Sequence, residues 1–325
     1  MPMDRSLSEA GAVPARTDLM ASVWHSPDYQ EQLVGLVSAE RMTHTPVPWW
    51  LWWNILSVDA PTVAVIWAAL FARASGIRLS TAEAAVLVLA VWVIYMSDRL
   101  LDGWTARHRT ALRERHFFCA GHRFVLAVLV LSAVCAIFWV TMERLQAAEV
   151  SAGVKLGLLL AAYMASIHAG RERIARFLPK ELVVGFLFAA GATLPFWSRA
   201  MQFSWHAWLP WVLFGLLCSL NCMSIECWEN REPGAVWKQT THPLIRWADT
   251  HINRIAATLA LAALAVYLAR DSERPSGSGL LAISIGASLI LLLNCGRNKV
   301  SPVALRVLAD AALVLPALIA LGVRG

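Results

Sequence analysis

Apolar residues run in long blocks along this chain, and polar residues gather in the short gaps between the blocks. Nine blocks approach the roughly 20 residues that a helix needs to cross a bilayer: 50–72, 81–101, 119–141, 151–169, 180–198, 206–226, 251–270, 277–295 and 302–322. The pattern predicts an all-α polytopic membrane protein with about nine transmembrane helices. Pro61, Pro195, Pro210 and Pro316 fall inside blocks, where neighbouring helices can satisfy the backbone groups that a proline frees. Upstream, residues 1–26 read as a tail rich in Ser, Ala and Pro. Tyr29, Leu33, Leu36 and Val37 then space an amphipathic helix over 28–41, lying on the membrane surface or capping the domain. The chain therefore divides into an N-terminal segment, 1–45, and a transmembrane domain, 46–325.

Composition agrees with the pattern. Of 325 residues, 58% are hydrophobic and 15% charged, whereas soluble domains carry roughly 25% charged residues. The 16 tryptophans suit interfacial belts. The net charge of +6 sits in the gaps between blocks, so it orients the protein in a bilayer and calls for no nucleic acid. With the N-terminus inside, the cytoplasmic loops hold Arg107 to Arg115, Arg171 to Arg176, Arg231 to Arg246, and Arg297 with Lys299. The opposite loops hold fewer basic residues, which is a positive-inside bias. Trp197, Trp205, Trp208 and Trp211 would form the belt on the far side. The expected location is the bacterial inner membrane. The six cysteines lie mostly within apolar blocks and form no CxxC pair, so no disulfide framework is expected. Residues 1–45 lack the early apolar core of a signal peptide.

Chemistry concentrates at two block ends. The second block closes on Tyr95-Met96-Ser97-Asp98-Arg99-Leu100-Leu101-Asp102-Gly103. On a helix, Asp98 and Asp102 lie roughly 40° apart, one above the other. The sixth block closes on Asn221, Glu226 and Glu229, which the loop pattern places at the same membrane surface. These acids are either solvated helix ends or two halves of a cation site. Intramembrane acids mark function by default, and one or two carboxylates with a substrate phosphate suit Mg²⁺. Cys218 and Cys222 share a face with Glu229, but no histidine is spaced to complete a soft-metal site. Among other polar residues within blocks, Arg306 and Asp310 are spaced to pair along one helix, and Asp59 can line a cavity, with no partner evident from sequence.

The arrangement resembles the UbiA superfamily of intramembrane prenyltransferases. Asp98-Arg99-Leu100-Leu101-Asp102-Gly103 is similar to the latter half of its first aspartate-rich motif, with Ile94 and Tyr95 in place of the usual Asn-Asp. Asn221, Glu226 and Glu229 resemble its second motif with glutamate for aspartate, followed by Gly234, Lys238 and Thr240. Tyr163 and Lys180-Glu181-Leu182-Val183-Val184-Gly185 resemble its tyrosine-to-lysine segment. The resemblance implies a helical bundle around a central cavity, with Mg²⁺ held by Asp98, Asp102, Glu226 and Glu229. It implies a prenyl diphosphate donor and a lipophilic acceptor, an aromatic ring or quinone precursor. Lys180 would be the first cationic helper for the leaving diphosphate, with Arg99 and Lys238 behind it. Tyr163 or Tyr95 would shield an allylic cation through its ring face, and Asn221 and Tyr95 would contact substrate. A catalytically lapsed member that binds an isoprenoid or quinone, or acts as a membrane partner, is the alternative, motivated by the missing Asn-Asp and the glutamate-for-aspartate changes. A transporter ranks behind both, because no paired broken helices or inverted repeat stand out.

Overall fold

The structure, a computed structural model, describes residues 48–105, 118–119, 121–170, 179–199, 205–231, 242–269 and 277–322. These form an all-helical assembly with no strand among the described residues. A 3-10 turn at Trp49–Leu51 leads into α1 (Trp52–Ile55), followed by α2 (Asp59–Ala74), α3 (Thr81–Thr105), α4 (Arg123–Arg144) and α5 (Ala147–Gly170). Next come α6 (Lys180–Ala192), α7 (Leu194–Arg199), α8 (Trp205–Glu229), α9 (Pro243–Leu268), α10 (Gly277–Gly296) and α11 (Pro302–Gly322). Six described helices are long and apolar enough to cross a membrane, or up to seven if the bent pair over Trp49–Ala74 makes one span. The tail, the 28–41 helix, the Arg107–Arg115 and Arg171–Arg176 loops, and Lys238 lie outside the described residues.

Two expected spans are broken, each for a local reason. The block 50–72 bends by 79° between Ile55 and Asp59. Ser57 there takes a left-handed conformation, φ 55°, which interrupts the i→i−4 ladder. Pro61 falls in the first turn of α2, where its missing N–H has no intrahelical partner to lose. The block 180–198 splits at Thr193 into α6 and α7. Pro195 cannot donate to the preceding turn, and the Thr193 hydroxyl donates to the Ala189 carbonyl at 2.6 Å.

Helix association in lipid relies on close packing and interhelical hydrogen bonds, because lipid tails are as apolar as the side chains. Trp67 of α2 illustrates both. Its ring stacks on Phe214 of α8 with centroids 4.3 Å apart, and its indole N–H donates to the Leu313 carbonyl of α11 at 3.1 Å. α10 packs between α9 and α11, and the Ser284 hydroxyl donates to the Ala260 carbonyl at 2.9 Å. α8 touches α6, α9, α10 and α11, which puts its polar C-terminal turns at the centre of the bundle.

The antiparallel helices define two ends. The near end gathers the end of α3, the start of α6, the end of α8, and the starts of α9 and α11. There Asn294 is a buried hub: it accepts from the Trp228 indole at 2.8 Å and from Arg297 Nη1 at 2.8 Å, and donates to Asn253 at 2.7 Å. This network ties α8, α9 and α10 together beside the candidate site. At the far end, Trp197, Trp208 and Trp211 pack edge-on and tilted against one another; the side chain of Trp205, the fourth residue of the expected belt, lies outside the described set.

Candidate functional site

The near end carries polar side chains in two layers. The outer layer forms around Lys180, the first residue of α6. Its Nζ lies 3.6 Å from Glu226 Oε2 of α8 and 3.7 Å from Glu181 Oε1. The Lys180 side chain is 62% exposed while Glu181 is buried, so the cation stands at a mouth with its counter-charges behind it. Asn230 donates to the other Glu226 oxygen at 3.2 Å. Tyr163 of α5 reaches across to donate to the Lys180 carbonyl at 3.4 Å, and its hydroxyl is within electrostatic reach of Asp98 of α3. Three helices thus bring Tyr163, Lys180 and Glu226 to one mouth, with Asp98 of α3 within electrostatic reach of the tyrosine. The side chain of Asp102 lies outside the described set, although its backbone continues α3.

The inner layer is buried and built around Asn54. The break after α1 leaves backbone carbonyls without their usual partners, and Arg99 of α3 fills that role. Its Nη1 donates to the Asn54 and Ile55 carbonyls at 2.6 and 3.1 Å. The Asn54 amide donates to Asp59 at 2.6 Å, and its side-chain oxygen accepts from Arg306 Nη1 at 3.4 Å. Asp59 opens α2, where the helix dipole favours a negative charge. Arg306 of α11 makes a buried ion pair with Glu229 of α8. Two turns back along α8, Asn221 donates to Asp310 at 3.1 Å. Tyr95 lies within electrostatic reach of Asp59, Asp310 and Cys222, so it borders this layer from α3.

Several sequence expectations change in detail. Glu226 and Glu229 face different cations, Lys180 and Arg306, rather than each other. Arg99 is buried and caps a broken helix, whereas the resemblance made it a cationic helper for the leaving diphosphate. Arg306 and Asp310 reach across to α8, beyond the pairing along one helix that their spacing suggested. Among the described residues, no group of three or more His, Cys, Asp or Glu is placed to hold a metal ion. Asp98 with Asp102 remains the pair on which a metal proposal rests. Sequence reasoning undervalued Asn54 and Arg306; the usable signal was that both are strongly polar residues just inside apolar blocks.

Outside the inner layer lies an apolar groove of about 470 Å³, bounded by Trp49, Trp52 and Trp53 on one side and Val307, Ala311 and Leu315 on the other. Asn54, Arg306 and Asp310 stand next to these residues in sequence. The same two segments therefore offer apolar surface outward and polar groups inward. Such a combination can take an amphipathic molecule, its chain in the groove and its head toward the polar layers. No family model, curated protein or solved structure matches the chain.

Proposed function

We propose that this membrane protein handles an isoprenoid diphosphate at its near end, as a Mg²⁺-dependent prenyltransferase of UbiA-like type acting on a lipophilic acceptor. The observation that carries this reading is the meeting of Tyr163, Lys180 and Glu226, from three helices, at one mouth, within electrostatic reach of Asp98 on α3. In the proposed arrangement Asp98 and Asp102 would hold Mg²⁺, which would supply charge neutralisation for the diphosphate. Lys180 contributes a fixed cation at the mouth. Tyr163, whose hydroxyl reaches the Lys180 carbonyl, would offer its ring to the developing allylic cation. The groove beside α11 supplies apolar surface of the kind that a prenyl chain or a lipophilic acceptor requires.

The test is binding of farnesyl diphosphate to the purified protein in detergent. Lys180→Ala weakens it roughly tenfold, the scale of one charge-assisted hydrogen bond, and Lys180→Arg retains most of it. Equal affinity in all three proteins would remove Lys180 from the site.

A second reading is favoured by one contact. Glu229 is already engaged by the buried Arg306, which suits a non-catalytic protein that binds an isoprenoid or quinone. Turnover separates the two: product from a labelled prenyl diphosphate and a phenolic acceptor supports the enzyme, and tight binding without product supports the binder.

A further inference from the structure

The resemblance gives Glu226 and Glu229 of α8 a single role, that of metal ligands. The structure gives each of them a cation from the chain itself. Lys180 Nζ lies 3.6 Å from Glu226 Oε2 and 3.7 Å from Glu181 Oε1, so one ammonium stands between carboxylates from two helices. That is the place a bridging divalent ion would take. Glu181 and Glu226 are within electrostatic reach of each other, and with no cation between them the two charges would repel. Three residues further along α8, Glu229 makes its ion pair with Arg306 of α11.

Arg306 does not yield its seat to a metal. A guanidinium keeps its proton at any ordinary pH, and both members of the pair are buried, so displacing either strands a charge in the interior. Mg²⁺ demands near-octahedral oxygen ligands and keeps several of its waters. The sequence neighbours of the pair, Trp228 and Leu305, instead pack with Ala309 in an apolar cluster. A second buried guanidinium is also close. Arg99 donates to the Asn54 carbonyl and Arg306 to the Asn54 side-chain oxygen. A divalent ion on Glu229 would meet two desolvated cations, and repulsion between charges grows as the dielectric falls.

We infer that Lys180 and Arg306 are the resident cations of this second acidic cluster, Lys180 in place of a metal between Glu181 and Glu226, and Arg306 in place of one on Glu229. Neither Glu226 nor Glu229 then ligates a divalent ion. The cluster stays neutralised at any metal concentration, because its cations are part of the chain. A diphosphate at the mouth would meet a fixed ammonium there and a metal, if bound, only on the α3 aspartates. That consequence rests on the proposed function; the assignment of the two cations does not.

The experiment counts Mn²⁺ ions bound to the purified protein in detergent, by electron paramagnetic resonance and without any prenyl ligand. Glu226→Gln and Glu229→Gln are expected to bind as many ions as the native protein, with unchanged affinity. The double variant Arg306→Leu/Glu229→Leu serves in place of Glu229→Gln should that variant not fold, with the same count expected. Lys180→Ala, at an exposed position, is expected to bind one ion more than the native protein, because Glu181 and Glu226 are left to share it. Arg231→Ala breaks the Arg231–Asp249 pair at the same end and is expected to add none, which separates a bridged site from a general loss of positive charge. An ion lost in either glutamine variant, or no ion gained in Lys180→Ala, would overturn the assignment. A native protein that binds no Mn²⁺ would sink the α3 metal site of the proposed function, while the gain in Lys180→Ala still decides the assignment.

Discussion

Arg306→Leu is expected to destabilise the protein by about 3–5 kcal/mol, the usual cost of removing one member of a buried ion pair. The substitution leaves Glu229 buried between α8 and α11 without its guanidinium, and takes a donor from the Asn54 side-chain oxygen. The double variant Arg306→Leu/Glu229→Leu is expected to recover most of that loss, because apolar residues of similar volume often replace a buried pair at little cost. Unfolding in detergent by a graded denaturant, followed by circular dichroism, reads both effects. A single variant as stable as the native protein would show that the pair does not hold α8 to α11.

Gly185→Val is expected to cost about 3 kcal/mol, the upper end of the usual range for an overpacked interface. A side chain at Gly185 would place its Cβ 2.5 and 2.7 Å from the backbone nitrogen and Cα of Ser219. Backbone atoms of α8 cannot turn aside as a flexible side chain would, so α6 and α8 must separate. Such separation also moves Lys180 away from Glu226, and the same variant should bind an anionic prenyl lipid less tightly. Gly157→Ala on α5 is the matched control: it meets no atom within 4 Å and is expected to shift stability by no more than about 0.5 kcal/mol. Comparable losses in the two variants would point to a general intolerance of larger residues and not to the α6–α8 contact.

The class of this fold was readable because long apolar blocks admit few alternatives in a chain with so little charge. The block 81–101 matches the described apolar helix Thr81–Leu101, and Lys180, Tyr163 and Glu226, all named by the sequence pattern and resemblance, are joined by the Tyr163 bond to the Lys180 carbonyl and the Lys180–Glu226 ion pair. Breaks were less legible. The bend at Ser57 depends on one residue's backbone conformation, and nothing in the composition of 50–72 announces it. Partners were the least legible, for a physical reason. In lipid both faces of a helix can be apolar, so periodicity no longer distinguishes the face that packs from the face that meets acyl chains. α4 shows this: Phe124, Leu131, Phe138 and Trp139 are exposed although the helix is strongly apolar. The pairings Arg306–Glu229, Asn221–Asp310 and Arg199–Glu149 join residues distant in sequence, and spacing along one helix cannot report them.

The site follows the same division. Sequence placed its candidate acids at the ends of α3 and α8, and the structure adds a second, buried layer of polar contacts beneath them. Asn54, whose own side chain and carbonyl engage Asp59, Arg306 and Arg99, links the bent first span to the third and eleventh helices. The bend therefore contributes to the site: it brings the carbonyls that Arg99 caps and the amide that Asp59 accepts from into the same interior.

Binding of geranylgeranyl diphosphate to the purified native protein, with and without Mg²⁺ and with Asp98→Asn alongside, tests the proposed site most directly. Binding that requires Mg²⁺ and is lost in a well-folded Asp98→Asn variant is the predicted result. Binding of equal strength in the presence and absence of metal, and in both proteins, would contradict the metal-assisted diphosphate site at the near end.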